Sequence, residues 1–526
     1  TGSRKARNYP SPVCAHPCIG VIGMACPEES EMQSMRSCCL ALPRGLLVLA
    51  LLVKILADDA QVLETLADVY KSAVAQIERG DFQGGKKRLQ ALIKAAPGFI
   101  AEPHYVMLTS LFPHEFRSLG PSGVSMEAYE RSVRALETFL AAMAEESGRS
   151  DEHEANAQDV AEVVMAHYAL AHYHRVQDDL RTAWRHLLAG ARAKYTGTPG
   201  IEWRITQEVL ALRALPLAFP RPVLQRFSER LAPDPSLASI RPAPMLIIGL
   251  PRSGSTLLEQ VLARHSAIVP GGEAPARVPD SDIEPVLLSI LQEVPLLTAQ
   301  QLEMGQDTYA DSIVGKVGDR QVKALREEAV HYARSMRRKA FELGATSRTK
   351  YITDKTLNNF MQLGLLSGML PHMRIVYCER NPLDIGLSMF WQMFAGDAQL
   401  YSYDLRSLGK YVALAQAALT QLRAALGPSR VHTVVYEDLV RDMARSIEEL
   451  FKFLDLDWED DVLEFTAIKN TVRTASLVQV RRPLYNSSVG QWHHHRRWLR
   501  PLRKGFREGH EQAQRDAAVF GTDLPD

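Results

Sequence analysis

Apolar positions recur along this chain with two different periods, and the change between them falls near residue 240. From Asp58 to about Ala238 the spacing is helical: Ala67, Tyr70, Val74 and Ile77, a break at Gly80-Asp81-Phe82, then Leu89, Leu92 and Ile93. Apolar residues every three or four positions form one stripe of an amphipathic helix. The segment therefore predicts a helix, a tight turn and a second helix ending before Pro97. Tyr168, Ala169, Ala171 and Tyr173, a turn at 177–179, then Ala183, Leu187 and Ala191 restate the pattern. Each hairpin is close to one helical repeat of about 34 residues. Pro103, Pro113, Gly120, Pro121 and Gly123 lie between them, so a true repeat array and an irregular helical domain both fit.

A proline-rich hinge is expected next, from Pro216 through Pro220, Pro222, Pro233, Pro235 and Pro242 to Pro244. Beyond it the pattern changes to short apolar runs. Met245 to Leu250 is unbroken, as in a strand buried on both faces. Tyr351–Thr353, Met373–Cys378 and Val431–Tyr436 are further strands. Helices are expected at Ser255–Leu262, Asp311–Leu343, Leu383–Phe394, Leu405–Leu426 and Ala444–Leu454. Strands alternating with helices imply a parallel sheet with right-handed crossovers. The expected fold class is α/β, a P-loop-type parallel sheet flanked by helices and preceded by an all-α helical domain. The expected divisions are a leader at 1–57, a helical domain at 58–238 and the α/β domain at 239–526.

Ligands on such sheets bind beyond the carboxyl ends of the strands, and the chemistry-bearing stretches fall there. After the first strand comes Pro251-Arg252-Ser253-Gly254-Ser255-Thr256. A strand, a glycine turn and a helix aim backbone N–H groups and a helix N-terminus at one point, which attracts phosphate. The spacing Gly249-x4-Gly254-x-Thr256 copies a P-loop, with Ser255 where a triphosphatase carries lysine and Arg252 as the cation instead. After the third run comes Glu379-Arg380-Asn381-Pro382, with Ser388 about two turns into the following helix. An arginine fork and a hydroxyl converging on one oxyanion can hold a dianionic phosphate without a metal.

PRSGSTLLEQVL and RNPLDIGLSMF together resemble the two nucleotide-binding motifs of the sulfotransferase family, which uses 3′-phosphoadenosine 5′-phosphosulfate as donor. Within that family the chain is most similar to tetratricopeptide-repeat sulfotransferases and, more distantly, to protein-tyrosine sulfotransferases. The resemblance runs from about Pro244 to Leu502. It implies that Arg252, Ser253, Gly254, Ser255 and Thr256 meet the 5′-phosphosulfate, that Arg380 and Ser388 meet the 3′-phosphate, and that Tyr436 lies near the nucleotide. It further implies Glu273 as general base and Lys355 and Ser476 as stabilisers of the leaving phosphate. Arg481 and Arg482 would lie in a late segment closing over the nucleotide. Ala274 and Pro275 follow Glu273 where the tyrosine-specific pattern has a second acid and a nearby arginine. The acceptor is therefore open among protein, glycan and small-molecule hydroxyls. A P-loop kinase or triphosphatase and a non-catalytic repeat scaffold with a vestigial nucleotide fold are the alternatives.

Composition changes this picture in three places. The 61 basic residues equal the 61 acidic ones, so no global field draws nucleic acid and any anion site is local. Of six cysteines, five precede residue 40 and Cys378 stands alone, as a buried structural residue would. Residues 36–57 set Arg36 and Arg44 before an apolar run from Gly45 to Val53, the parts of a signal peptide or short signal anchor. A secretory-pathway or Golgi location is expected from them, with cytoplasm as the alternative. His493, His494 and His495 cannot share one helical face and have no acidic flank. A solvated run without metal is expected there. A protein partner on the repeats and a homodimer are both compatible with the helical half.

Overall fold

Alternate side chains of the first predicted strand serve opposite faces. In the computed structural model Leu246 and Ile248 enter one hydrophobic core, Met245 and Ile247 another. An apolar run without polar alternation is thus what a central strand covered on both sides requires. The structure describes residues 66–519 except 96–100, 121–123, 148–156, 232–233, 274–282, 302–305, 395–396, 398 and 468–487. The predicted leader lies outside the described residues. Among those described, no helix is long and apolar enough to cross a membrane.

Among the described residues the sheet has five strands: β1 (Ala243–Gly249), β2 (Ile268–Val269), β3 (Tyr351–Asp354), β4 (Arg374–Glu379) and β5 (Val431–Val435). Their order is β2-β3-β1-β4-β5 and every pairing is parallel. Met245 stands opposite both Thr353 and Arg374. The carboxyl ends of β3, β1 and β4 therefore open on one edge, with β1 at the switch point where crevices form.

Two layers cover the sheet. On one face Leu246, Ile352, Ile375 and Tyr377 share a core with the helices Ile201–Ala218, Arg221–Leu231, Asp319–Glu342 and Leu405–Leu426. On the other, Val376 and Val434 meet Leu258 and Val261 of Ser255–Leu262 and Leu450 and Phe451 of Met443–Leu454. A third, smaller core joins Ile77, Leu89, Phe112, Tyr129 and Tyr173 within the helical half. Both predicted hairpins form there, Leu66–Glu78 with Phe82–Ala95 and Ala157–Val176 with Leu180–Thr196. Asp179 caps the last of these by accepting from Thr182 N at 3.1 Å.

Three expectations need correction. The proline-rich stretch is not an open hinge: Pro216 lies inside the helix Ile201–Ala218, and Pro222 sits in the first turn of Arg221–Leu231. Proline is tolerated in a first turn, and the buried stripe Val223, Leu224, Phe227 and Leu231 binds that helix into the main core. The long helix expected over 311–343 is two, Gln306–Gly315 and Asp319–Glu342, the second capped where the Gln321 side chain accepts from Gly318 N at 2.8 Å. His493 and His494 are exposed, but His495 is buried and its Nδ1 accepts from the Trp184 indole N–H at 2.9 Å. Burial pushes the His495 imidazole down to about 4. A neutral ring with a free lone pair is what the indole needs.

Candidate functional site

The loop after β1 is shaped by one glycine and one strained arginine. Gly254 has φ +100, and a Cβ there would come within 2.4 Å of the Tyr436 ring. Only glycine allows both that conformation and that approach. Arg252 holds φ +72, an uncommon backbone state for a residue with a side chain. Ser255–Leu262 starts directly after Gly254, and Ser253, Ser255 and Thr256 are all buried.

Tyr436, the residue directly after β5, links this loop to the second motif. The Arg380 guanidinium lies 4.3 Å from the centre of its ring. One guanidinium NH2 group of Arg380 donates to the Arg252 carbonyl and the other to the Ser488 carbonyl, both at 2.8 Å. The Tyr436 and Ser488 hydroxyls are 2.6 Å apart. The helix Pro382–Phe390 is capped by Asn381, which accepts from Leu383 N at 3.0 Å. Its Ser388 hydroxyl accepts from Arg252 Nε at 2.9 Å. The structure thus brings Arg252, Ser253, Gly254, Arg380, Ser388 and Tyr436 into one cluster, with Ser388 paired to Arg252 and Arg380 bridging two backbones. Among the described residues, Arg380 Nε and Ser253 Oγ are buried without a hydrogen-bond partner. Buried polar groups are seldom left unpaired. A guanidinium N–H and a hydroxyl are groups that fit a phosphorylated ligand.

The third part forms at the end of β3. Lys355 is 1% exposed, and its Nζ lies 2.5 Å from Oε1 of Glu273, which is 47% exposed. A buried ammonium needs such a partner. The turn carrying Glu273 is tied to β3: Lys355 N donates to Gly272 O at 2.9 Å and the Thr356 hydroxyl to Glu273 O at 3.0 Å. Cys378, buried on the neighbouring β4, has its thiol pushed up to about 12 by burial.

Ser476, Arg481 and Arg482 lie outside the described residues. Several partners escaped the sequence reading. Ser488 is one of two adjacent serines, and no spacing rule picks it. Asp384 is another: its carboxylate accepts from Gly490 N at 2.7 Å and Trp492 N at 2.9 Å, fastening the late segment to the Ser388 helix. Glu259, a buried carboxyl group in the helix Ser255–Leu262, is a third. A charged residue at a core-facing helical position was the legible signal. Among the described residues no group of three or more His, Cys, Asp or Glu side chains is arranged to hold a metal ion.

The molecule is therefore an α/β protein with a parallel sheet flanked by helices, whose loop after β1 has P-loop spacing with arginine and serine in place of lysine. Residues 244–460 match the model of the sulfotransferase family, so the resemblance read from the two motifs holds over that segment. An uncharacterized protein of Aquifex aeolicus is 29% identical over 273 residues, which cover 52% of this chain and 33% of the relative. The chain thus spans about a third of the length of that curated relative. Among solved structures, the sulfotransferase domain of the Synechococcus PCC 7002 olefin synthase is 20% identical with a TM-score of 0.32, covering 54% of this chain and 96% of that one. A sulfotransferase from Mycobacterium avium is 14% identical with a TM-score of 0.28, covering 72% and 98%.

Proposed function

We propose that this chain transfers a sulfuryl group from 3′-phosphoadenosine 5′-phosphosulfate to an acceptor hydroxyl. The observation that carries the reading is the buried Lys355 paired with the half-exposed Glu273 at the carboxyl end of β3, the strand that pairs with β1. Two basic turns meeting through Arg380 and Arg252 support binding of a donor phosphorylated at both ends. When bound, that donor supplies an activated sulfur–oxygen bond next to its 5′-phosphate.

Glu273 accepts the proton of the attacking hydroxyl, a role worth about 10²–10⁴ in rate. The acceptor oxygen–sulfur bond forms as the sulfur–phosphate oxygen bond breaks. Lys355 faces the charge left on that phosphate oxygen. Arg252 and Arg380 neutralise the phosphates, so the chemistry needs no metal. The acceptor is a hydroxyl of a protein, a glycan or a small molecule. The test mixes purified full-length chain with labelled donor and a panel of phenols, sugars and tyrosine peptides. Transfer to one class, lost in Glu273→Gln and Lys355→Met, is expected. Binding of ATP in preference to adenosine 3′,5′-bisphosphate in a calorimeter overturns the reading.

A further inference from the structure

We infer that Glu259 is a positioning residue that sets the turn Gly271 to Glu273, and through it the Glu273 carboxylate, against Lys355. This rests on the sulfuryl-transfer reading, which gives Glu273 its role as base.

Glu259 lies in the helix after the phosphate loop, 4% exposed, on a face whose neighbours Leu258, Val261 and Leu262 are core residues. A leucine would pack there without the cost of burying a carboxyl group. The geometry shows what the carboxyl does instead. Its Oε1 accepts from Gly272 N at 3.0 Å and from the Thr353 hydroxyl at 2.6 Å. Thr353 Oγ1 in turn accepts from Gly271 N at 2.9 Å. Two consecutive amides of the turn are thus held by one Glu–Thr pair. The carbonyls are held from the other side, Gly271 O by Lys339 Nζ at 2.6 Å and Gly272 O by Lys355 N at 2.9 Å. The next residue is Glu273.

Burial raises the Glu259 pKa, and the Lys355 charge opposes that rise. In either protonation state an oxygen remains to accept both bonds. Glutamine keeps an acceptor of the same reach, whereas alanine leaves Gly272 N and the Thr353 hydroxyl unpaired. A displacement of about 1 Å at a reacting group costs on the order of 10²-fold in rate.

Glu259→Ala, Glu259→Asp and Glu259→Gln are compared with wild type in three measurements. Hydrogen exchange reads the peptide covering 268–276. Turnover is read with labelled donor and the best acceptor of the panel. Affinity is read with adenosine 3′,5′-bisphosphate. In Glu259→Ala the turn amides are expected to exchange at least about tenfold faster and kcat to fall about 30- to 100-fold, with nucleotide affinity within about threefold. Glu259→Gln is expected to stay within about threefold of wild type throughout. Should the alanine variant not fold, the aspartate variant, one methylene short of Gly272 N, carries the same expectation. Unchanged exchange in the alanine or aspartate variant overturns the inference, as does a glutamine variant as impaired as alanine, or nucleotide affinity falling in step with turnover. Failure of the sulfuryl-transfer reading looks different: wild type itself moves no label, while the exchange experiment still decides what holds the turn.

Discussion

Replacing Gly254 by alanine separates backbone strain from the contact that joins the two basic turns. The added Cβ would lie 2.4 Å from Cδ2 of Tyr436 and 3.1 Å from Cε2, on a residue held at φ +100. Strain alone costs about 1–2 kcal/mol. The ring cannot yield freely, since it stacks on Arg380 and its hydroxyl meets Ser488. Displacing it forfeits about 1 kcal/mol of hydrogen bond and about 1 kcal/mol of cation–π attraction. Those 2 kcal/mol or so fall on the groups assigned to the nucleotide, so affinity for adenosine 3′,5′-bisphosphate should drop about 30-fold. Gly344 is the control, with φ +95 and nothing near its would-be Cβ. Gly344→Ala should lower the melting temperature by the strain alone and leave nucleotide affinity within about twofold. Isothermal titration calorimetry and thermal melting read both variants. Gly254→Ala binding the nucleotide within about twofold of wild type would refute the reasoning.

Further outcomes follow from the same geometry. Lys355→Met should cut sulfuryl transfer by about 10²–10³ while nucleotide affinity holds within about tenfold, read by single-turnover kinetics beside calorimetry; equal loss in both would remove its role in the chemical step. Stability should fall as the pH drops from 6.5 towards 4, because the unfolded chain takes up protons that folded His495 refuses until about 4. For that residue the loss between pH 7 and 5 is about 2 kcal/mol, read in urea melts and reduced in His495→Gln. The Cys378 thiol, buried and pushed up to about 12, should resist maleimide at pH 8 until the protein unfolds, as peptide mapping by mass spectrometry would show.

Much of the fold was legible because its signals are local. The run Met245 to Ile248 had to be a two-sided strand, and Leu405–Leu426 forms as the helix its spacing implied. What escaped was decided at a distance. The two residues of β2 carry too few positions to show a period. Pro216 and Pro222 read as a hinge, yet buried apolar stripes around them outweigh the local preference for a break. Three adjacent histidines look alike in sequence, but only His495 turns towards Trp184, 311 positions earlier in the chain.

The site divides in the same way. The glycine pattern of the loop, the arginine after β4 and the lysine after β3 can be read from the chain, because strand–turn–helix junctions impose recognisable residue types. Partnership could not be read. Ser388 lies 136 positions from Arg252, Ser488 lies 108 from Arg380, and Glu259 lies 94 from Thr353. Sequence by itself determined the longer strands, helices such as Leu405–Leu426 and which of their ends carry charge, since these depend on neighbours a few residues away. Only the tertiary structure decided which charge faces which, because a hydrogen bond is set by distances of about 3 Å that no spacing along the chain encodes.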